Sequence, residues 1–162
     1  MSNNKPDEYT PFETAEDLLR DIPFVKGDTL LEPCYGEGAF YKQFPKGYHK
    51  DFCEIELGKD FFNFKPLFKY TKVITNPPYY FGKSGTKKGR VEFIEKCFKV
   101  CCGQVWLLLN LKMWNSLTPT RLRKWKEWGF NISFIRILAI KKWWGRYYWV
   151  CFSKNDDPII KF

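Results

Sequence analysis

The stretch TNPPY, residues 75 to 79, follows the apolar pair Val73-Ile74 directly and has the residue types of a chemical site. Proline has no backbone N–H and fixes its own φ, so a strand that reaches Asn76 must end there in a stiff corner. The corner presents the side-chain oxygen of Asn76 and the carbonyl of Pro77 as acceptors beside the ring of Tyr79. Two such acceptors can hold a planar –NH2 group by both hydrogens and leave its nitrogen lone pair directed at an electrophile. By itself, the stretch is also typical of a strand end with a buried tyrosine.

A second candidate site is the stretch LEPCYGEGAF, residues 31 to 40. Gly36 and Gly38 fall in a predicted strand-to-helix turn, where the absence of side chains lets a ligand approach the backbone. Glu54 follows after about 20 residues, at the position where a carboxylate holds ribose hydroxyls in nucleoside-binding folds. Acidic residues at 32, 37, 54 and 60 disfavour a phosphate-bearing ligand and favour one with a positive centre. The glycines alone would be equally typical of a plain tight turn.

The first element that could position these sites is a predicted helix in TPFETAEDLLRDI, residues 10 to 22. Thr10, Pro11 and Glu13 fit the N-cap, N1 and N3 positions of a capping box, and apolar residues follow at helical spacing. The sequence therefore predicts that the Thr10 side chain caps this helix.

Strands and helices alternate through the rest of the chain. Strands are predicted at 29–31, 50–56, 71–75 and 103–110, helices at 91–101 and 119–128, and a short extended piece at 58–64. The segments 131–140 and 146–154 predict an antiparallel hairpin with Gly145 at its turn. This pattern indicates an α/β fold, with a mostly parallel sheet, an antiparallel C-terminal hairpin and helices on both faces. Both candidate sites then lie beyond the carboxyl ends of strands, where such sheets bind ligands.

Charge is distributed unevenly along the chain of 162 residues, which has a net charge of +9. Residues 82–149 hold 15 basic and 3 acidic side chains. This excess favours a polyanionic partner such as nucleic acid, although a solubilising basic surface remains the alternative. The six cysteines form no paired CxxC clusters, which disfavours a metal site. Without a signal peptide or a membrane-spanning apolar run, we expect one domain in the cytoplasm and no membrane partner.

Five stretches together resemble a known family. They are YTP (9–11), LEPCYGEGAF (31–40), CEIE (53–56), KDFF (59–62) and TNPPY (75–79). In this order they are similar to the amino-methyltransferases that depend on S-adenosyl-L-methionine, in particular to the adenine-N6 branch. The resemblance is specific over the first half of the chain and covers the rest only as a fold pattern. It implies one Rossmann-like methyltransferase domain over residues 1–162, with S-adenosyl-L-methionine as cofactor and no metal.

The resemblance also implies roles for residues. The catalytic corner would consist of Asn76, Pro77, Pro78 and Tyr79, with Tyr79 as a stacking face for an adenine extruded from a duplex. The implied cofactor contacts are Tyr9, Thr10, Pro11, Glu32, Pro33, Gly36, Gly38, Phe40, Glu54, Ile55, Asp60 and Phe61. Among these, Thr10 has the alternative role of a helix cap, and Phe40 that of a packing residue.

Basic and aromatic residues of the second half predict a nucleic-acid surface. The candidate substrate-binding residues are Tyr80, Lys83, Lys87, Lys88, Arg90, Trp143 and Trp144. Hairpin packing is the alternative for Trp143 and Trp144, and a core-facing stripe is favoured for Trp125 and Trp128. Since the chain has no room for a target-recognition domain, specificity is expected to be loose, to lie in the 80–90 loop and the hairpin, or to come from a partner or second copy.

Three functions remain open from the sequence. The first is methylation of adenine N6 in nucleic acid, with DNA weakly preferred over RNA. The second is methylation of a protein glutamine amide, which presents the same two hydrogens. The third is a non-catalytic nucleic-acid-binding subunit that keeps the fold.

Overall fold

Strands and helices alternate, as expected, in the computed structural model of the protein. The structure describes residues 9–79, 87–154 and 159–161, and for residues 87 and 88 it describes only the backbone. The strands are β1 (Thr29–Glu32), β2 (His49–Phe52), β3 (Tyr70–Thr75), β4 (Cys101–Asn110), β5 (Asn131–Leu138), β6 (Tyr147–Ser153) and β7 (Ile159–Lys161). The helices are α1 (Phe12–Leu19), α2 (Lys87–Val100), α3 (Leu111–Trp114) and α4 (Pro119–Glu127). Short 3-10 turns form at Tyr41–Gln43, Ile55–Leu57 and Phe61–Asn63.

The strands form one sheet in the order β2-β1-β3-β4-β6-β5-β7. Every strand of this sheet runs in the same direction except β6, which pairs antiparallel with both β4 and β5. The predicted α/β fold with a mostly parallel sheet and a C-terminal hairpin is therefore confirmed, and Gly145 has the positive φ of +99° at the hairpin loop. The sequence analysis missed α3 and the edge strand β7.

Helices cover both faces of the sheet. On one face, Trp125 of α4 and Phe98 of α2 meet edge to face and both contact Phe152 of β6. On the other face, Arg136 lies opposite Trp149 in the strand register and binds two carboxylates of the α1 segment. The buried side of each helix is apolar, so the sheet has a core on each side.

The predicted capping box at the start of α1 is wrong. The helix begins at Phe12, with Pro11 at the N-cap and no side-chain capping bond. Instead, the Thr10 hydroxyl accepts a hydrogen bond from the Asn76 side chain, 66 residues away in sequence. A tertiary partner therefore takes the oxygen that the local pattern assigned to the helix N-terminus.

Two predicted extended segments are shorter or differently folded than expected. The strand predicted over 50–56 ends at Phe52, because the Glu54 carboxylate caps a 3-10 turn by accepting from Glu56 N at 3.2 Å. The piece predicted as extended over 58–64 contains a second 3-10 turn. There Asp60 accepts from the backbone N–H of Phe62 at 2.9 Å. Aspartate favours such local bonds to its own backbone over a strand ladder.

None of the helices within the described residues is long and apolar enough to cross a membrane.

Candidate active site

A cavity of about 800 Å³ opens where the chain leaves β1, β2 and β3 at their carboxyl ends. Residues after β1 form one wall, residues 54–56 and 60–62 form the second, and residues 76–79 form the third. Tyr9 and Thr10 close the cavity on one side, and the first turns of α2 close it on another. The two stretches with candidate chemistry therefore meet at one site.

Most of the predicted site residues line this cavity. They are Tyr9, Thr10, Glu32, Pro33, Gly36, Glu54, Ile55, Asp60, Phe61, Asn76, Pro77, Pro78 and Tyr79. Tyr80 and Lys83 lie outside the described residues, as do the side chains of Lys87 and Lys88.

Six predicted residues do not line the cavity: Pro11, Gly38, Phe40, Arg90, Trp143 and Trp144. Phe40 is buried and stacks on Trp149, with ring centroids 5.6 Å apart and planes 5° apart. Packing between the glycine turn and the sheet thus accounts for Phe40. Gly38 lies under the ring of Tyr35, where an added Cβ would be 2.6 Å from Cζ. Gly38 therefore makes room for a neighbouring side chain that itself lines the cavity.

Several lining residues escaped the sequence analysis as site residues. They are Cys34, Tyr35, Glu37, Ala39, Glu56, Phe62, Gly89, Glu92 and Phe93. Those before residue 63 could have been found, because they lie within the stretches already singled out. Glu92 and Phe93 had no such signal, since their position depends on how α2 packs against the sheet.

The glycine turn after β1 is held from two sides. Gly36 has a φ of +52° and donates its N–H to Glu54 Oε2 at 2.7 Å. The ring of Tyr9 covers the other side, because a Cβ at Gly36 would be 2.8 Å from Tyr9 Cδ1. The carboxylate at the end of β2 thus orders the turn at the end of β1.

Glu32 lies beneath this turn and is only 2% exposed. Its Oε2 accepts a hydrogen bond from Tyr41 N at 2.7 Å. Burial raises the pKa of Glu32 well above its ordinary value, and the Glu54 charge acts in the same direction while the Tyr41 bond opposes it. The side chain thus carries a proton more readily than a surface glutamate.

The lining of the cavity is acidic. It includes the carboxyl groups of Glu32, Glu37, Glu54, Glu56, Asp60 and Glu92. Among the described residues, no Lys or Arg side chain lines it. The field inside the cavity therefore attracts a cationic ligand and opposes a phosphate.

Side-chain bonds fix the amide of Asn76. Its Nδ2 donates to Thr10 Oγ1 at 3.1 Å, and its Oδ1 accepts from the Tyr79 hydroxyl at 2.7 Å. These two bonds hold the amide group in place between the two hydroxyls.

The tyrosine of this corner is buried, as the alternative interpretation of the stretch expected. Tyr79 is 3% exposed, and its ring centroid lies 6.4 Å from that of Tyr147 at the start of β6. Little of the ring faces the cavity in this conformation.

The hairpin loop lies at the same edge of the sheet as the cavity, because β5 runs parallel to β3 and ends there. Trp143 packs on Tyr147, with ring centroids 5.0 Å apart, so the packing expected as its alternative role is present. Trp144 is 98% exposed beside the exposed side chains of Lys142 and Arg146. Trp125 is fully buried as the core-facing stripe predicted, whereas Trp128 remains 43% exposed.

Solved structures share this architecture. One is a Listeria monocytogenes protein described as a class I S-adenosylmethionine-dependent methyltransferase (TM-score 0.69, 13% identity, 92% of this chain and 62% of that chain). Another is a modification subunit, from Vibrio vulnificus YJ016, of a protein described as a type I restriction enzyme (TM-score 0.63, 12% identity, 98% of this chain and 46% of that chain). A third is magnesium protoporphyrin IX methyltransferase from Synechocystis PCC 6803 with bound S-adenosylmethionine (TM-score 0.60, 11% identity, 89% of this chain and 79% of that chain).

These likenesses concern the fold. The chain spans less than two thirds of the Listeria and Vibrio proteins. No family model and no curated protein matches the sequence. The strand order, the cavity at the carboxyl edge and these neighbours together show that the chain has the Rossmann-like fold of class I S-adenosylmethionine-dependent methyltransferases.

Proposed function

We propose that this chain transfers a methyl group from S-adenosyl-L-methionine to the exocyclic N6 amine of adenine in nucleic acid, with DNA weakly preferred over RNA. The observation that carries this proposal is the shared cavity. Asn76, Pro77 and Tyr79 line the same acidic space as Gly36 and Glu54. An amine-binding corner and a nucleoside-binding turn therefore open onto one site.

The residues present fit the cofactor. S-adenosyl-L-methionine, when bound, supplies a methyl group made electrophilic by the attached sulfonium. Its positive charges match the five lining carboxyl groups other than Glu32, whose raised pKa favours the neutral form. Glu54 at the end of β2 would hold the ribose hydroxyls, and the wall at Asp60 and Phe61 would hold the adenine. Because Gly36 has no side chain, the ring of Tyr9 can pack directly on the turn and complete this wall of the cavity.

Asn76 would bind the amine that receives the methyl group. Its Oδ1 and the carbonyl of Pro77 would accept the two hydrogens of the amine. Because Thr10 and Tyr79 already fix the amide, little reorganisation is needed when the substrate arrives. The proposed contribution of the protein is therefore positioning and electrostatic stabilisation.

A nucleic-acid substrate is supported by the surface beside the corner. The exposed Trp144, Lys142 and Arg146 lie on the hairpin loop at the edge where the cavity opens. Cations that track a phosphate backbone beside an aromatic ring are typical of single-strand binding. The loop is connected to the corner by packing, since Trp143 contacts Tyr147 and Tyr147 contacts Tyr79. The Vibrio neighbour, a restriction-enzyme modification subunit, agrees with this class of substrate.

The test is transfer of labelled methyl from S-adenosyl-L-methionine to double-stranded DNA, single-stranded DNA, RNA and a protein extract, followed by mass analysis of the digested products. We expect label in N6-methyladenine, and more on DNA than on RNA. Asn76→Ala serves as the control and should abolish transfer, with cofactor affinity nearly unchanged. Label on protein glutamine would refute adenine and establish the protein substrate. Bound cofactor without label on any substrate would refute independent catalysis and favour a binding subunit or a required partner.

A further inference from the structure

A second concave surface lies at the opposite edge of the sheet from the candidate active site. It has a volume of about 330 Å³ and is lined by residues at the amino ends of β3 and β4 and beside β5. We call it the lysine-tryptophan groove, and its members used below are Lys69, Phe98, Lys99, Trp128, Phe130 and Lys154. The volume falls near the lower end of the roughly 300–1,000 Å³ typical of small-molecule sites, which suits one nucleotide-sized unit.

The groove is positively charged. Lys69, Lys99 and Lys154 are exposed, and its described lining contains no carboxylate. None of the three forms an ion pair with a residue that the structure describes. Lysines scattered over a surface would be solvated individually, but three cations around one concavity favour a shared anionic ligand.

An aromatic wall accompanies the charge. Trp128 is 43% exposed, and Lys124 Nζ lies 4.5 Å from its ring centroid. Phe130 is buried at the floor and stacks on Phe98, with centroids 4.4 Å apart and planes 11° apart. Lys124, which is ion-paired with Glu95 at 3.2 Å, covers part of the Trp128 ring, and the exposed remainder of this ring is the surface on which a base can stack.

The turn after α4 brings one lysine close to this wall. Gly129 has a φ of +86°, and an added Cβ would be 3.2 Å from Lys154 Cε. The side chain of Lys154 thus runs along the turn that connects Trp128 to Phe130. A glycine at this position permits both the left-handed backbone and the close passage of the lysine.

We propose that the lysine-tryptophan groove binds a nucleotide unit, with the phosphate at the lysines and the base against Trp128. The unit is either a free nucleotide or one residue of a single-stranded nucleic acid. The inference depends on the charge and the rings of the groove and does not require that the chain transfers methyl groups.

The first test follows the indole N–H resonance of Trp128 by NMR while AMP or a single-stranded oligonucleotide is added. The conservative variant Trp128→Phe identifies the resonance by its disappearance. We expect a saturable shift with at least one of the two probes. A shift with both probes means that a free nucleotide suffices, whereas a shift with the oligonucleotide alone identifies a strand as the ligand. The absence of a shift with either probe would overturn the proposal.

The second test reverses charge in the groove. Lys99→Glu with Lys154→Glu should weaken binding of the probe that shifts Trp128 by at least about fivefold. If the probe is the strand, the slope of log K against log salt should also fall by about 0.7 for each phosphate that the lysines no longer neutralise. Lys26→Glu with Lys46→Glu is the matched control, since both lysines are exposed and the change in net charge is the same. Equal affinities of the two double variants would show that only net charge matters and would refute the site.

Discussion

Glu54 should be the residue whose loss weakens cofactor binding most. Its carboxylate accepts from Gly36 N at 2.7 Å and from Glu56 N at 3.2 Å, so Glu54→Ala releases two backbone groups at the cavity wall. These two bonds are present without cofactor and so contribute to the stability of the turn, whereas the loss of affinity comes from the proposed bond between Glu54 and the ribose. A hydrogen bond to a charged group contributes about 1.5–3 kcal/mol, and the partly exposed position of Glu54 places the estimate near the lower end. A loss of about 2 kcal/mol corresponds to a roughly thirtyfold weaker affinity for S-adenosyl-L-methionine.

Isothermal titration calorimetry with S-adenosyl-L-methionine measures this effect, and two further variants separate its causes. Glu54→Gln keeps one acceptor oxygen and should lose about half of that free energy, or roughly fivefold in affinity. Glu56→Gln removes the same charge from the same wall without the bond to Gly36, and we expect less than about a threefold change. An affinity of Glu54→Ala equal to that of Glu56→Gln would refute a specific role for Glu54. A lower melting temperature with unchanged affinity would show that Glu54 only stabilises the turn.

Three further predictions concern the same site. Thr10→Val should lower the rate of methyl transfer more than the affinity for cofactor, because the Thr10 hydroxyl orients Asn76. Thr10→Ser keeps the hydroxyl and should restore the rate. A change confined to cofactor affinity would make Thr10 a cofactor contact instead. The raised pKa of Glu32 means that the folded state binds its proton more tightly, so this group's contribution to stability is lost as pH rises from about 4.5 towards the folded pKa. Glu32→Gln should therefore gain stability relative to the wild type as pH rises above about 4.5 in urea unfolding, and a difference that stays constant with pH would contradict the assignment. Gly38→Ala should lower the melting temperature by several degrees, because the φ of +79° at Gly38 and the 2.6 Å approach to Tyr35 both disfavour a Cβ. An unchanged melting curve would show that the turn relaxes to accept the Cβ.

The order of strands and helices was readable from the sequence because short apolar runs alternate with segments of helical spacing. The ends of the elements were less predictable. The strand expected over 50–56 stops at Phe52, because the side chain of Glu54 caps a turn and ties it to Gly36. The secondary-structure propensity of residues 50–56 cannot show that Glu54 bonds to Gly36, which lies 18 residues away.

The sequence by itself determined the two features that depend on local backbone chemistry. The corner at Asn76 follows from two prolines that can neither donate nor continue the strand, and the turn at Gly36 follows from a residue that tolerates positive φ. Only the tertiary structure decided what these features face. It paired Thr10 with Asn76 instead of a helix end, assigned Phe40 to packing on Trp149, and brought Glu92 of α2 to the cavity. The physical reason is that these contacts join residues far apart in the chain, so their geometry is fixed by how helices and strands pack and not by the local pattern of residues.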